Sequence, residues 1–349
     1  MAFSTIRKIT LTSFTVFLGL TLQAQDPHFS QFYTYASQLN PALVGNYDGS
    51  FRAAAIYRNQ WSYAIPKQYS GYQTAGADLD VSFLEGSLRK SKFAGGISAF
   101  VDRSGQSGLE YINASISLAY HQGFGKNGNH RLSIGMQGSF INKKLMNDAI
   151  FGDQFNNYNR PKPTSEDYYT KGIITGGLAT GLYWRSNFRE KVKFGLGIGA
   201  YNLLQPKENF MTDSLGGFGQ QYARITADLN MEIYFGKKKN LSISPEFVLM
   251  VQGPAREINP GLFFTYYLQT GFRRNNNINF GLRYRVGDAV IPMLHIQFYN
   301  LRIGAAYDVN ISPLKNSTRH QGAFEISLSY IGESVKYFKG SKSLPSRRF

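Results

Sequence analysis

The sequence predicts an all-β fold, an antiparallel transmembrane outer-membrane β-barrel of about fourteen strands. Three observations predict it. Apolar and polar residues alternate over stretches of about ten residues, no segment after the first two dozen residues is apolar enough for a spanning helix, and the composition favours strands and turns. Of 349 residues, 17% are charged and 15% aromatic, with 27 Phe and 23 Tyr against 2 Trp, 36 Gly and no Cys. Without cysteine no disulfide holds the fold, so a closed hydrogen-bond ladder or a large core must.

In chain order, residues 1–24 read as a Sec signal peptide. Arg7 and Lys8 precede an apolar run from Ile9 to Leu22 that is short for a membrane helix, and Leu22-Gln23-Ala24 supplies a cleavage site. The predicted location is therefore the outer membrane of a Gram-negative bacterium.

Residues 25–50 form a leader without strand alternation, in which Asn40-Pro41 and Gly45-Asn46 carry turn chemistry. Its Phe29, Phe32, Tyr33 and Leu39 need a surface to pack on. Two readings stand: a plug in or under the periplasmic mouth, or a periplasmic arm that only seals the first strand.

Residues 51–330 carry the barrel. Apolar residues recur at every second position in 51–57, 75–83, 112–120, 132–140, 223–235, 278–286, 301–309 and, without a fault, in Gly322 to Gly332. Weaker alternation marks 93–102, 173–184, 193–202, 240–250, 258–268 and 291–298. The opposite face carries Asp228, Glu232, Arg283, Arg285, Arg302, Asp308 and Glu325. A polar barrel lumen tolerates that much charge and a sandwich interior does not. With both termini in the periplasm, the long connections near 142–171 and 203–221 are extracellular and the periplasmic ones are short, as at Tyr299-Asn300. Residues 331–349 form a basic tail, in which SKSLPSRRF after Gly340 reads as unstructured.

No catalytic chemistry is predicted, and neither a cofactor nor a metal. The five histidines, His28, His121, His130, His295 and His320, form no HExxH motif or close pair, and His295 belongs to a polar strand face. No GxSxG motif occurs, and the glycines of KFGLGIGAYN (Lys193 to Asn202) follow strand alternation, not a phosphate loop. Asp78 and Asp80 share a strand face and read as lumen charge. Asn142 to Lys171 lacks spaced calcium ligands and reads as a surface loop.

The net charge is +16, or about +14 without the signal, and only Lys237-Lys238-Lys239 is dense. Lipid and lipopolysaccharide phosphates, or an acidic protein, suit an exported chain with this charge better than nucleic acid does.

The elements DPHFSQFY, LNPALVG and YRNQW, in that order between Asp26 and Trp61, resemble the opening of the PorP/SprF family of type IX secretion system outer-membrane proteins. LRIGAAYDVNIS (Leu301 to Ser312) and GAFEISLSY (Gly322 to Tyr330) are similar to its closing strands. The resemblance implies a barrel serving one large secreted protein with a type B C-terminal sorting domain, such as a gliding adhesin, and contact with other type IX components. Phe151, Phe155, Tyr158, Tyr168 and Tyr169 in one long connection, with Phe210 and Phe218 in another, are the expected cargo contacts. Packing on the barrel rim is the other reading of those aromatics. A passive channel or small-solute transporter is the alternative function.

Overall fold

A membrane-spanning chain must satisfy its backbone polar groups internally, and a strand does so only by pairing on both edges. The computed structural model describes residues 26–62, 71–83, 90–105, 108–125, 128–145, 172–188, 191–208, 219–236, 239–268 and 276–332. In it fourteen strands close into a barrel with every neighbouring pair antiparallel.

The barrel strands in chain order are β1 (Phe51–Gln60), β2 (Tyr72–Phe83), β3 (Ser91–Ser104), β4 (Leu109–Phe124), β5 (His130–Leu145), β6 (Ile173–Phe188) and β7 (Val192–Tyr201). A two-residue pair, β8 (Lys207–Glu208) and β9 (Gly219–Gln220), lies within the connection after β7. The wall resumes with β10 (Arg224–Phe235), β11 (Leu241–Gln252), β12 (Ala255–Tyr267), β13 (Asn277–Arg285), β14 (Ala289–Phe298), β15 (Leu301–Asn310) and β16 (Gln321–Gly332). Closure is made by β1 against β16, paired without a shift from Phe51↔Gly332 to Gln60↔Ala323.

Every segment of strong or weak alternation lies within or largely within one of these strands. The mouth where β1 begins and β16 ends also carries the short connections, such as Tyr299-Asn300. The opposite mouth carries both long ones, 146–172 and 202–223, beside tight turns at 253–254 and 286–288.

The outer wall is apolar. Ile116, Leu118, Met136, Ile174 and Phe280 are 55–67% exposed, which in a closed barrel means that they face lipid. Aromatic rings gather near the short-connection mouth: Phe93 touches both Phe83 and Tyr120, at 6.3 and 4.9 Å, and Trp184 meets Phe194 at 5.5 Å. Such rings suit the membrane interface. Among the described residues, no helix is long and apolar enough to cross a membrane.

Ile116 sits midway along β4 on the lipid face. Ile116→Arg is expected to destabilise the barrel by about 2–4 kcal/mol. Urea unfolding in vesicles measures it, and an unchanged midpoint would show that this face does not meet lipid.

Candidate functional site

The lumen is occupied by the chain's own leader. Asp26 is held at the long-connection mouth: its N–H donates to Gln252 at 2.9 Å, and its carboxylate accepts from Asn202 at 2.7 Å and Gln221 at 3.2 Å. Ser50, at the leader's other end, donates its N–H to the Gly332 carbonyl at 2.8 Å, beside the opposite mouth. Contacts with the wall run from one mouth to the other.

The upper contacts are ionic. Glu325 accepts the consecutive backbone N–H groups of Ser30 and Gln31 at 2.6 and 3.1 Å. Arg58 donates to the same carboxylate at 2.5 Å and to Asp308 at 2.9 Å. Arg285 bridges Asp308 at 3.0 Å and the Ser30 hydroxyl at 2.7 Å. Arg283 donates to the Ser30 carbonyl and, at 2.5 Å, to Glu246. His28 meets Glu257 at 2.7 Å. Arg58, Arg283, Arg285, Asp308 and Glu325 are all buried, and charges that deep require this mutual satisfaction.

The middle contacts use the leader's backbone. Thr226 donates to the Leu39 carbonyl at 2.6 Å, Tyr201 to that of Ser37 at 2.8 Å, and the Asn40 amide reaches the Leu182 carbonyl at 2.9 Å. Ala36–Leu39 makes one helical turn and Pro41–Leu43 a 3₁₀ turn. Asn40 caps the second by accepting the Ala42 N–H at 2.9 Å, with Pro41 in the first helical position, where no N–H is needed.

Nearer the short-connection mouth, His121 donates to the Val44 carbonyl at 2.8 Å, and Asp80 accepts from the Gly45 N–H at 2.6 Å and from Arg52 at 2.8 Å. Arg185 pairs with Asp48 at 3.2 Å.

Phe29 packs with Tyr35, Ile56, Phe100, Tyr111 and Ile141, while Phe32 and Leu39 pack with Tyr183, Val248 and Met250, with Tyr33 against them. Glycines on the inward face make room for the leader. A Cβ at Gly181 or Gly197 would collide with Asn40, and one at Gly135 with the backbone of Pro41 and Ala42. On β7 the inward glycines make room for wall and leader together: Gly195 for Tyr183 and Asn230, Gly197 for Asp228 and Asn40, and Gly199 for Thr226 and the Leu39 carbonyl.

Of the residues assigned to the lumen, Arg283, Arg285, Asp308 and Glu325 touch the leader, and Asp228 lies buried beside Asn40. Glu232 is bonded instead to Lys193 at 3.1 Å, Tyr234 at 2.7 Å, Ser242 at 2.9 Å and Tyr267. Arg302 is half-buried beside an open space. His295 is buried between Asn279 and Gln31. Arg58 and Ser30 were not singled out in the sequence; the glycines of Lys193 to Asn202 were read there as strand alternation only, without the space they leave.

The aromatic residues expected to meet cargo, Phe151, Phe155, Tyr158, Tyr168 and Tyr169 with Phe210 and Phe218, lie outside the described residues. No group of three or more metal-ligating side chains occurs among the described residues.

A Cβ at Gly96 would sit 3.1 Å from Val44 Cγ1, so Val44→Cys with Gly96→Cys is expected to form a disulfide in a chain with no other cysteine. Gel migration after oxidation and protease cleavage between the two positions reads it. Absence of the crosslink would remove the leader from the lumen.

Similar solved structures include the TodX monoaromatic hydrocarbon channel deltaS2 mutant, at 8% identity and TM-score 0.50 over 84% of this chain and 93% of that one. They also include the CymD monoaromatic hydrocarbon channel, at 9% identity and TM-score 0.48 over 87% and 94%. At such identities the likeness concerns the fold alone. No curated protein matches the chain. The family model described as type IX secretion system membrane protein PorP/SprF matches residues 21–330, nearly all of the barrel and its leader, and the chain belongs to that family.

Proposed function

We propose that this protein is a sealed docking barrel that holds, or helps deliver to the cell surface, one large secreted protein carrying a type B C-terminal sorting domain. The observation that carries the reading is the leader, hydrogen-bonded to the wall from Asp26 at one mouth to Ser50 at the other. A lumen filled in this way suits a binding platform better than a passive channel, because conduction needs a continuous polar path. In this reading the long connections, 146–172 and 202–223, face outward and carry the cargo contacts through their aromatic residues. The family places the barrel within a secretion system, and neither the family nor the channel neighbours are described as enzymes.

Mild-detergent pull-down of the tagged mature protein, with mass spectrometry, is expected to recover a single large secreted protein in near-equal amount. The purified barrel should carry no steady current in planar bilayers, and deleting residues 26–46 should raise its conductance. Recovery of the barrel alone, with steady current from the intact chain, would favour the transporter.

The orientation has its own test. Pro27 lies half-buried next to Asp26, and Asn46 lies near the other mouth. Pro27→Cys should react with a membrane-impermeant maleimide on intact cells while Asn46→Cys does not, and the reverse pattern would invert the barrel.

A further inference from the structure

Beside the leader, toward the short-connection mouth, part of the lumen is unfilled. A cavity of about 300 Å³ lies there, bounded above by Gln31 and Phe32 and reaching Asn300 in the β14–β15 turn and Ile331 near the end of β16. Its volume falls at the lower end of ligand sites, about 300–1,000 Å³.

Most charges around this cavity are answered by a neighbour. Glu246 is held by Arg283 at 2.5 Å, Glu232 by Lys193 at 3.1 Å, Arg185 by Asp48 at 3.2 Å and Arg52 by Asp80 at 2.8 Å. Arg302 is the exception: among the described residues it makes no hydrogen bond or ion pair, and the two carboxylates whose charge reaches it, Glu246 and Glu232, are already engaged. The β-ladder sets it between Gln297 of β14 and Ser329 of β15's other partner, β16, both lining the same cavity. A half-buried guanidinium gains most from a planar anion that takes two of its N–H groups at once, and a carboxylate is such an anion.

We propose that this cavity binds a carboxylate carried on a polypeptide, which enters from the short-connection mouth and is received by Arg302. The peptide nature of the occupant rests on the secretion reading above; the carboxylate chemistry rests on Arg302 alone. Asn277 and Gln297, bonded to each other at 3.2 Å, and Asn279, bonded to Thr265 at 2.7 Å, line the cavity beside Phe263 and Tyr267, so Arg302 is the group there left to receive a ligand. The carboxylate comes either from an acidic side chain or from a chain terminus.

With no native cysteine, Ser329→Cys is a unique reporter inside the cavity. In the full chain in detergent, with each rate divided by that reagent's rate with a free thiol, it should react with anionic methanethiosulfonate ethylsulfonate on the order of tenfold faster than with a cationic trimethylammonium analogue. Adding Arg302→Gln should abolish that preference. Three blocked eight-residue peptides then probe the site: one with a free C-terminus, one amidated with a central Glu, and one amidated with a central Lys. Slower modification with the first peptide alone identifies a terminus, with the second alone a side chain, and with both either source. Equal rates for the two reagents, protection by the Lys peptide equal to that by the others, protection by none of the three, or no modification by either reagent would each overturn the proposal. A barrel that failed here and still recovered cargo in the pull-down would lose only this site.

Discussion

Closure of β1 on β16 is the constraint on which the rest of the molecule depends. A sheet of this size left open in lipid would expose two edges of unpaired N–H and C=O groups, each costing several kcal/mol. The ten-residue register between these strands removes both edges. It also completes the ring of inward side chains, because Arg58 on β1 and Glu325 on β16 are directly opposed partners in that register. Closure and leader binding are therefore coupled through one ion pair.

The interior charge follows the same logic. Isolated carboxylates and guanidiniums at this depth would be severely desolvated, and satisfying them takes partners with spare donors and acceptors. Backbone N–H and C=O groups of the leader supply part of that demand, as Glu325 and Arg283 both show at residues 30 and 31. Such an interior suits a single ordered segment, in contrast to a water-filled channel.

The fold was legible because lipid and lumen impose opposite chemistry on alternate residues. Ile116, Leu118, Phe324, Ile326 and Leu328 could be set on the outer face from period alone. The segments with weak alternation have a shared cause. Their strands turn apolar residues inward: Phe100 on β3, Tyr183 on β6, Tyr201 on β7, Val248 and Met250 on β11, Phe263 on β12, and Ile291 and Met293 on β14. Several of these pack on the leader, which gives the inner face a non-aqueous neighbour and blurs the pattern. The alternation of β4 likewise marked only its lipid-facing middle, because Tyr111 near one end packs inward with Phe29. Which lumen charge met which leader atom was not legible, since those contacts span as many as 295 positions of sequence.

That separation bears on assembly. The leader precedes every strand of the barrel, yet the carboxylate that takes its Ser30 and Gln31 N–H groups lies on the final strand. A chain that ended before β16 would lack both the edge that closes the wall and the group that captures the leader. Such a chain would keep the leader's contacts to β2, β4 and β10 and lose those at Ser30 and Gln31, so only a finished barrel holds the leader along its whole length.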